Sequence, residues 1–159
     1  MKRGLTGLVI LLLITVDQLT KYLIVNWLVP PETFVLVPGV LQFRYTENTG
    51  AVFGVFRNAT HILTVSSLLI VLVVLFILFS GKVKKNVLYV SLVMVVAGGI
   101  GNLIDRLTKG YVIDFIEPLF INFAVFNFAD CLITVGECLM LGFFVYEFIA
   151  EAKKARNEN

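Results

Sequence analysis

Charge is scarce in this chain. Only 15% of its 159 residues are Asp, Glu, Lys or Arg, against 58% that are apolar. That balance excludes an ordinary soluble domain and points to a polytopic membrane protein. Histidine is almost absent: His61 stands alone and there is no H-E-x-x-H, which leaves little to build a metal site from. The two cysteines, Cys131 and Cys138, fall seven apart on one predicted helix. That is about 10 Å along its axis, too far for a disulfide, and they read as small packing residues. No G-x-S-x-G supports a serine nucleophile. No glycine-rich phosphate loop or basic aromatic patch supports nucleotide or nucleic-acid binding. The chain shows neither an internal repeat nor a low-complexity segment, and its length allows one domain, 1–159.

What it has in abundance is long apolar runs. Four are long enough to cross a bilayer, which takes about 20 residues: 5–28, 61–80, 87–107 and 126–149. The first opens on MKRG, as a signal peptide would. It is too long for an h-region, carries Asp17 and Lys21, and lacks an A-x-A site, so it reads as a retained span. Lys2, Arg3, Lys82, Lys84, Lys85, Lys153, Lys154 and Arg156 would lie on one side; Arg44, Arg57, Arg106 and Lys109 on the other. The positive-inside rule then puts both termini and the 81–86 turn in the cytoplasm, with 29–60 and 108–125 outside. The fold expected is an all-α membrane protein with a small extracytoplasmic β-rich segment between its first two spans.

That segment, 29–60, reads as strands. Thr33–Val37 and Val40–Thr46 flank Pro38-Gly39, a turn pair, and Ala51–Phe56 suggests a third strand. So apolar a surface beyond the bilayer is expected to rest on lipid or to clamp a substrate from above. Asn58-Ala59-Thr60 matches a glycosylation sequon, a triplet common by chance.

The aspartates are the sparse residues that matter most. There are four, Asp17, Asp105, Asp114 and Asp130, and three fall between Gly98 and Asp130. An ionisable group at membrane depth is costly and by default marks a functional site. Gly98, Gly101, Asn102, Asp105 and Arg106 recur at spacings of three and four and share one face of the third span, where the glycines allow close backbone approach. The bland reading of Asp105-Arg106 is a pair that anchors the helix. Asn127, Asp130, Thr134 and Glu137 share a face of the fourth. There Asp130 suits a helix first turn for its dipole alone, and Glu137 is expected buried and neutral or hydrogen-bonded. Asp17 and Lys21 stand at i, i+4, the favourable order for an ion pair. Tracing the helices in and out of the bilayer sets Asp17, Lys21, Asn102, Asp105, Arg106 and Asp130 at one level near the outer surface, with Asp114 at or above it. A midplane transport site would place its acids deeper.

Two nearby carboxylates hydrolyse an amide if one is ionised and deprotonates a water while the other, protonated, donates to the carbonyl oxygen or leaving amine. Asp114 and Asp130 suit this; Asp105 suits it less, because Arg106 beside it is expected to hold it ionised.

At these residues the sequence resembles the signal peptidase II family, the bacterial lipoprotein signal peptidases. Asp17-Gln-Leu-Thr-Lys21, Asn48-Thr-Gly-Ala51, Gly101-Asn-Leu-Ile-Asp-Arg106, Val112-Ile-Asp-Phe115 and Phe126-Asn-Phe-Ala-Asp130 occur in family order across essentially the whole chain. The resemblance implies a catalytic pair at Asp114 and Asp130. It implies supporting roles for Asp17, Lys21, Asn48, Gly50, Asn102, Asp105, Arg106 and Asn127. It further implies a plasma-membrane enzyme that cuts a diacylglyceryl-modified prolipoprotein just before its lipidated cysteine and is sensitive to the cyclic peptide globomycin; from the residue content, neither a metal nor a cofactor is expected. Cys131, Val52 and Glu137 depart from the pattern. A single site within one chain gives no reason to require more than a monomer. Two other readings remain open at this point. One is a small four-helix proton-coupled transporter relaying through Asp17, Glu137 or Asp105. The other is a noncatalytic scaffold whose acids are structural ion pairs.

Overall fold

The computed structural model describes residues 3–28, 32–50 and 60–157. Four helices are long and apolar enough to cross a membrane: α1 (Arg3–Trp27), α2 (Thr60–Phe79), α3 (Asn86–Lys109) and α4 (Phe128–Asn157). Three strands, β1 (Thr33–Val37), β2 (Leu41–Asn48) and β3 (Val112–Pro118), form one antiparallel sheet in that order at one end of the bundle.

Helix α3 is the centre. The other three helices pack on it, while α1 and α4 touch each other only lightly. Ile10 of α1, Leu78 of α2, Leu132 of α4 and Leu92, Val93, Val96 and Ala97 of α3 make the buried core. Their outer faces carry large exposed apolar side chains such as Leu8, Phe76, Leu141 and Phe148, as lipid contact requires. Lipid gives helices no hydrophobic reason to associate, so close van der Waals packing through small residues has to supply it. Gly98 provides the tightest approach. A methyl group there would run into the carbonyl oxygen of Ala129 and come within 2.8 Å of Ile133 Cγ1. Since a backbone atom cannot swing aside, Gly98→Ala is expected to cost about 1–3 kcal/mol, read as a lowered unfolding midpoint in detergent.

The β1–β2 hairpin follows the sequence. Pro38 and Gly39, the latter at φ +71°, make the turn, and Val40 N donates to Val37 O at 3.0 Å. Positive φ at the third turn residue after Pro at the second is the type II signature. The 51–56 stretch, suggested as a third strand, lies outside the described residues, as do Arg57 and the first two residues of the sequon. The third strand is β3, from the segment between α3 and α4 that reads as a loop. Its Val112–Phe115 is buried on both faces, so it lacks the alternation that announces a half-exposed strand. The register pairs Asn48 with Val112 and Thr46 with Asp114. Ile24, Leu28 and Phe115 then bury together and seat the sheet on the end of α1.

Helix ends agree within about two residues at most boundaries, but α4 runs to Asn157, eight residues past the expected 149. Hydropathy fades there; Glu147, Glu151, Lys153 and Lys154 are nonetheless good helix formers. Gly110, at φ +83°, closes α3, its N–H bonding to Arg106 O.

Candidate active site

The chain returns from β3 to α4 through a two-way pairing. Ile116 N donates to Phe126 O at 2.8 Å and Phe126 N to Ile116 O at 3.0 Å. This sets Asn127, the residue before α4, beside Asp114. Asn127 Nδ2 donates to Asp114 Oδ1 at 2.6 Å. Its Oδ1 accepts from Asp130 N at 2.9 Å, and its own N–H donates to Asp130 Oδ2 at 3.1 Å. The reciprocal pair is a capping box written with Asn and Asp. Asp130 therefore serves the helix start, as its dipole reading suggests, and also shares Asn127 with Asp114.

Each carboxylate has a second donor held in place from behind. Asn48 Nδ2 donates to Asp114 Oδ2 at 2.8 Å, while Gly50 N donates to Asn48 Oδ1 at 3.0 Å and so fixes which end of that amide faces the acid. Asn102 Nδ2 donates to Asp130 Oδ1 at 2.8 Å. Asn102 Oδ1 accepts from Lys21 Nζ at 3.0 Å and from Asn127 Nδ2 at 3.1 Å. An ammonium can only donate, so Lys21 determines that the Asn102 oxygen turns toward it and the NH₂ toward Asp130.

Lys21 is 1% exposed, Asp17 and Asp105 0%. Its ammonium reaches Asp17 Oδ2 and Asp105 Oδ2, both at 2.9 Å, so all three of its protons are used. Asp17 Oδ1 also accepts from Ala129 N at 3.0 Å, capping α4 from α1. Gly101 makes room, since a methyl group there would lie 2.5 Å from Asp17 Oδ2. Asp105 takes Lys109 Nζ at 2.6 Å and Ile113 N at 3.3 Å on its remaining lone pairs.

In front of the acids lies a cavity of about 540 Å³ between α2, α3, α4 and the 123–126 segment. Asn48, Gly50, Arg106, Asp114 and Asp130 line it, with Leu63, Phe123 and Val135 among its apolar walls. Burial, and then the charge of Asp130, push the Asp114 carboxyl up to about 7, against the pull of Asn48, Asn127 and Lys21.

All ten residues singled out in the sequence meet here: five on the cavity and Asp17, Lys21, Asn102, Asp105 and Asn127 behind it. Three expectations are corrected. Asp105 pairs with Lys21 and Lys109 instead of Arg106; successive helix residues point about 100° apart, and Arg106 turns to the cavity. Glu137 is exposed on α4, because the face that packs on α3 runs through Ala129, Leu132 and Gly136. Cys131 is half-buried on the cavity wall and Cys138 is exposed, so neither is core packing. Gln18 and Lys109 were missed. Gln18 Nε2 links Asp17 to Gly101 O, and Lys109 stands at i+4 from Asp105, a spacing readable in the sequence. Among the described residues no cluster of three His, Cys, Asp or Glu side chains is arranged to hold a metal.

Four bilayer-length helices with a polar site built at one end define a multi-pass membrane protein. Residues 9–146 match the family model for signal peptidase (SPase) II. The chain is 40% identical over 151 residues to a lipoprotein signal peptidase of Lactobacillus johnsonii, covering 94% of this chain and 96% of that one. It is 36% identical over 141 residues to one of Streptococcus thermophilus, covering 89% and 92%. A bacterial membrane enzyme structure solved in meso at 2.3 Å superimposes with a TM-score of 0.82 at 26% identity, over 99% of this chain and 93% of that one. The chain belongs to the signal peptidase II family, and it is a peptidase.

Proposed function

We propose that this peptidase removes the signal peptide from prolipoproteins whose lipobox cysteine carries diacylglycerol, cutting just before that cysteine, with Asp114 and Asp130 as the pair that activates water. Family membership and the lipoprotein signal peptidase activity named for its relatives supply the substrate. The observation that carries the mechanism is the sharing of Asn127 by two carboxylates that open on one largely apolar cavity.

Asp114, with its pKa near 7, is the proton carrier. Asp130, at a helix N-terminus and bonded by Asn102 and Asn127 N, is the carboxylate that deprotonates the water. The water attacks the scissile carbonyl as Asp114 protonates the carbonyl oxygen; the proton taken by Asp130 then passes to the leaving amine as the C–N bond breaks, and the hydroxyl proton of the re-forming carbonyl returns to Asp114. Arg106 lies where it favours the negative charge that develops. The apolar walls exclude bulk water and strengthen these interactions. No metal or cofactor enters. The basic residues orient both termini and the 81–86 turn to the cytoplasm and the sheet outward, so the cut is made at the extracytoplasmic side of the plasma membrane. The whole chain acts as one unit and as a monomer, and globomycin competes by filling the cavity.

Purified protein in detergent is expected to cleave a diacylglyceryl-modified prolipoprotein and leave the unmodified precursor intact, mass spectrometry placing cysteine at the new N-terminus. A folded preparation that cuts neither, or cuts elsewhere, overturns the proposal. Because the Asp114 carboxyl must be protonated to act as acid, kcat/KM is expected to fall as pH rises past about 7, tenfold per unit. A flat profile from pH 6 to 9 contradicts the assignment.

A further inference from the structure

Glu137 has no place in the polar cluster. It lies on α4 with its side chain exposed, and among the described residues it has neither a hydrogen bond nor an ion pair. Seven residues separate it from Asp130, about two helical turns and about 10 Å along the axis, so the two share a face, with Thr134 between them. Asp130, Thr134 and Val135 line the cavity wall, and Glu137 continues the same arc of the helix toward the middle of the span. The face opposite this arc is the one that packs on α3. Across the cavity stands α2, through Leu63. The cavity's α4 lining ends at Val135, and Glu137 follows on the same arc of α4, exposed and two residues further along.

A carboxyl facing hydrocarbon without a partner is unfavourable, and such groups pair when a donor is within reach. The proposed function brings a partner to this face of α4: a substrate whose apolar segment runs from the scissile bond into the membrane. We infer that Glu137 is a specificity-determining residue, which selects substrates carrying a hydrogen-bond donor or a lysine in that segment about 10 Å below the cleaved bond. This rests on the proposed function for its substrate. The distance corresponds to about three residues of extended chain or about seven of helix. The donor therefore lies three to seven residues before the lipidated cysteine.

The test is a panel of diacylglyceryl-modified prolipoproteins with an all-apolar segment into which Thr or Lys is moved one position at a time, from the second to the ninth residue before the cysteine. With wild type, kcat/KM is expected to peak at one position in the three-to-seven window, about threefold to thirtyfold above its neighbours, as intramembrane hydrogen bonds allow. In Glu137→Leu the peak disappears. Glu137→Gln keeps the Thr peak and loses the Lys peak. A thermal midpoint for each variant separates selectivity from folding. No peak with wild type, or the same peak in Glu137→Leu, overturns the inference while leaving the proposed function standing. Dimerisation in detergent that depends on Glu137 would put a second copy on this face and also overturn it. Cleavage of no panel member overturns both.

Discussion

Asp114→Asn and Asp130→Asn each reduce prolipoprotein cleavage by about a thousandfold or more, the scale expected when one member of an acid–base pair is lost. An asparagine at Asp130 cannot take a proton from water. One at Asp114 cannot give a proton to the carbonyl oxygen. Because the two act as a unit, the double variant is expected to be no more than about tenfold worse than either single one. The control that separates catalysis from folding is built into Asp114. A carboxyl whose pKa rises on folding holds its proton more tightly in the folded state. Its contribution to stability is complete below its unfolded value of 3.8 and is lost as pH rises through about 7. Above that, the wild-type protein carries a buried charge that Asp114→Asn lacks. The unfolding midpoint of the variant relative to wild type should therefore rise between pH 4 and pH 8. Inactivity accompanied by that relative gain identifies a functional carboxylate. Full activity in either folded variant would make the acids structural.

Lys21→Met is expected to be the most destabilising single change, by about 3–5 kcal/mol. The lost cation leaves Asp17 and Asp105 fully buried, Asp17 with only the neutral donors Ala129 N and Gln18 Nε2, and Asp105 with Lys109 and the Ile113 N–H. The burial cost of two carboxylates then stands without its compensation. The consequence reaches the site, because Lys21 holds the Asn102 amide with its NH₂ toward Asp130. Folded Lys21→Met should therefore also lose activity beyond the fraction unfolded, measured by normalising cleavage to folded protein. Lys21→Met combined with Asp17→Asn and Asp105→Asn removes the charges together and should recover much of the lost stability. If Lys21→Met alone costs less than about 1 kcal/mol, the buried cluster does not hold the bundle together.

Much of this was legible in the chain. Apolar runs, their lengths and the Pro38-Gly39 turn settle by local chemistry, so the four spans and the hairpin were readable. So was the Asp17–Lys21 pair, whose spacing fixes its geometry on any helix. Strand β3 was not readable, because a strand buried on both faces has no alternation and its partner β2 lies more than sixty residues away. Glu137 shows the converse failure. Its spacing to Asp130 puts the two on one face of any helix, but which face of α4 meets α3 depends on Gly98 and Gly136 admitting the neighbouring helix.

The partner of Asp105 marks the same division. Sequence adjacency favoured Arg106, whereas the tertiary fold brought Lys21 from α1 and turned Arg106 into the cavity. By itself, the sequence determined the spans, the hairpin and the set of polar residues, because period, length and motif are local properties. Only the tertiary structure decided which of those residues pair, which acid is left exposed, and that Asn127 joins Asp114 to Asp130. Those depend on contacts between segments far apart in the chain, and no local pattern encodes them.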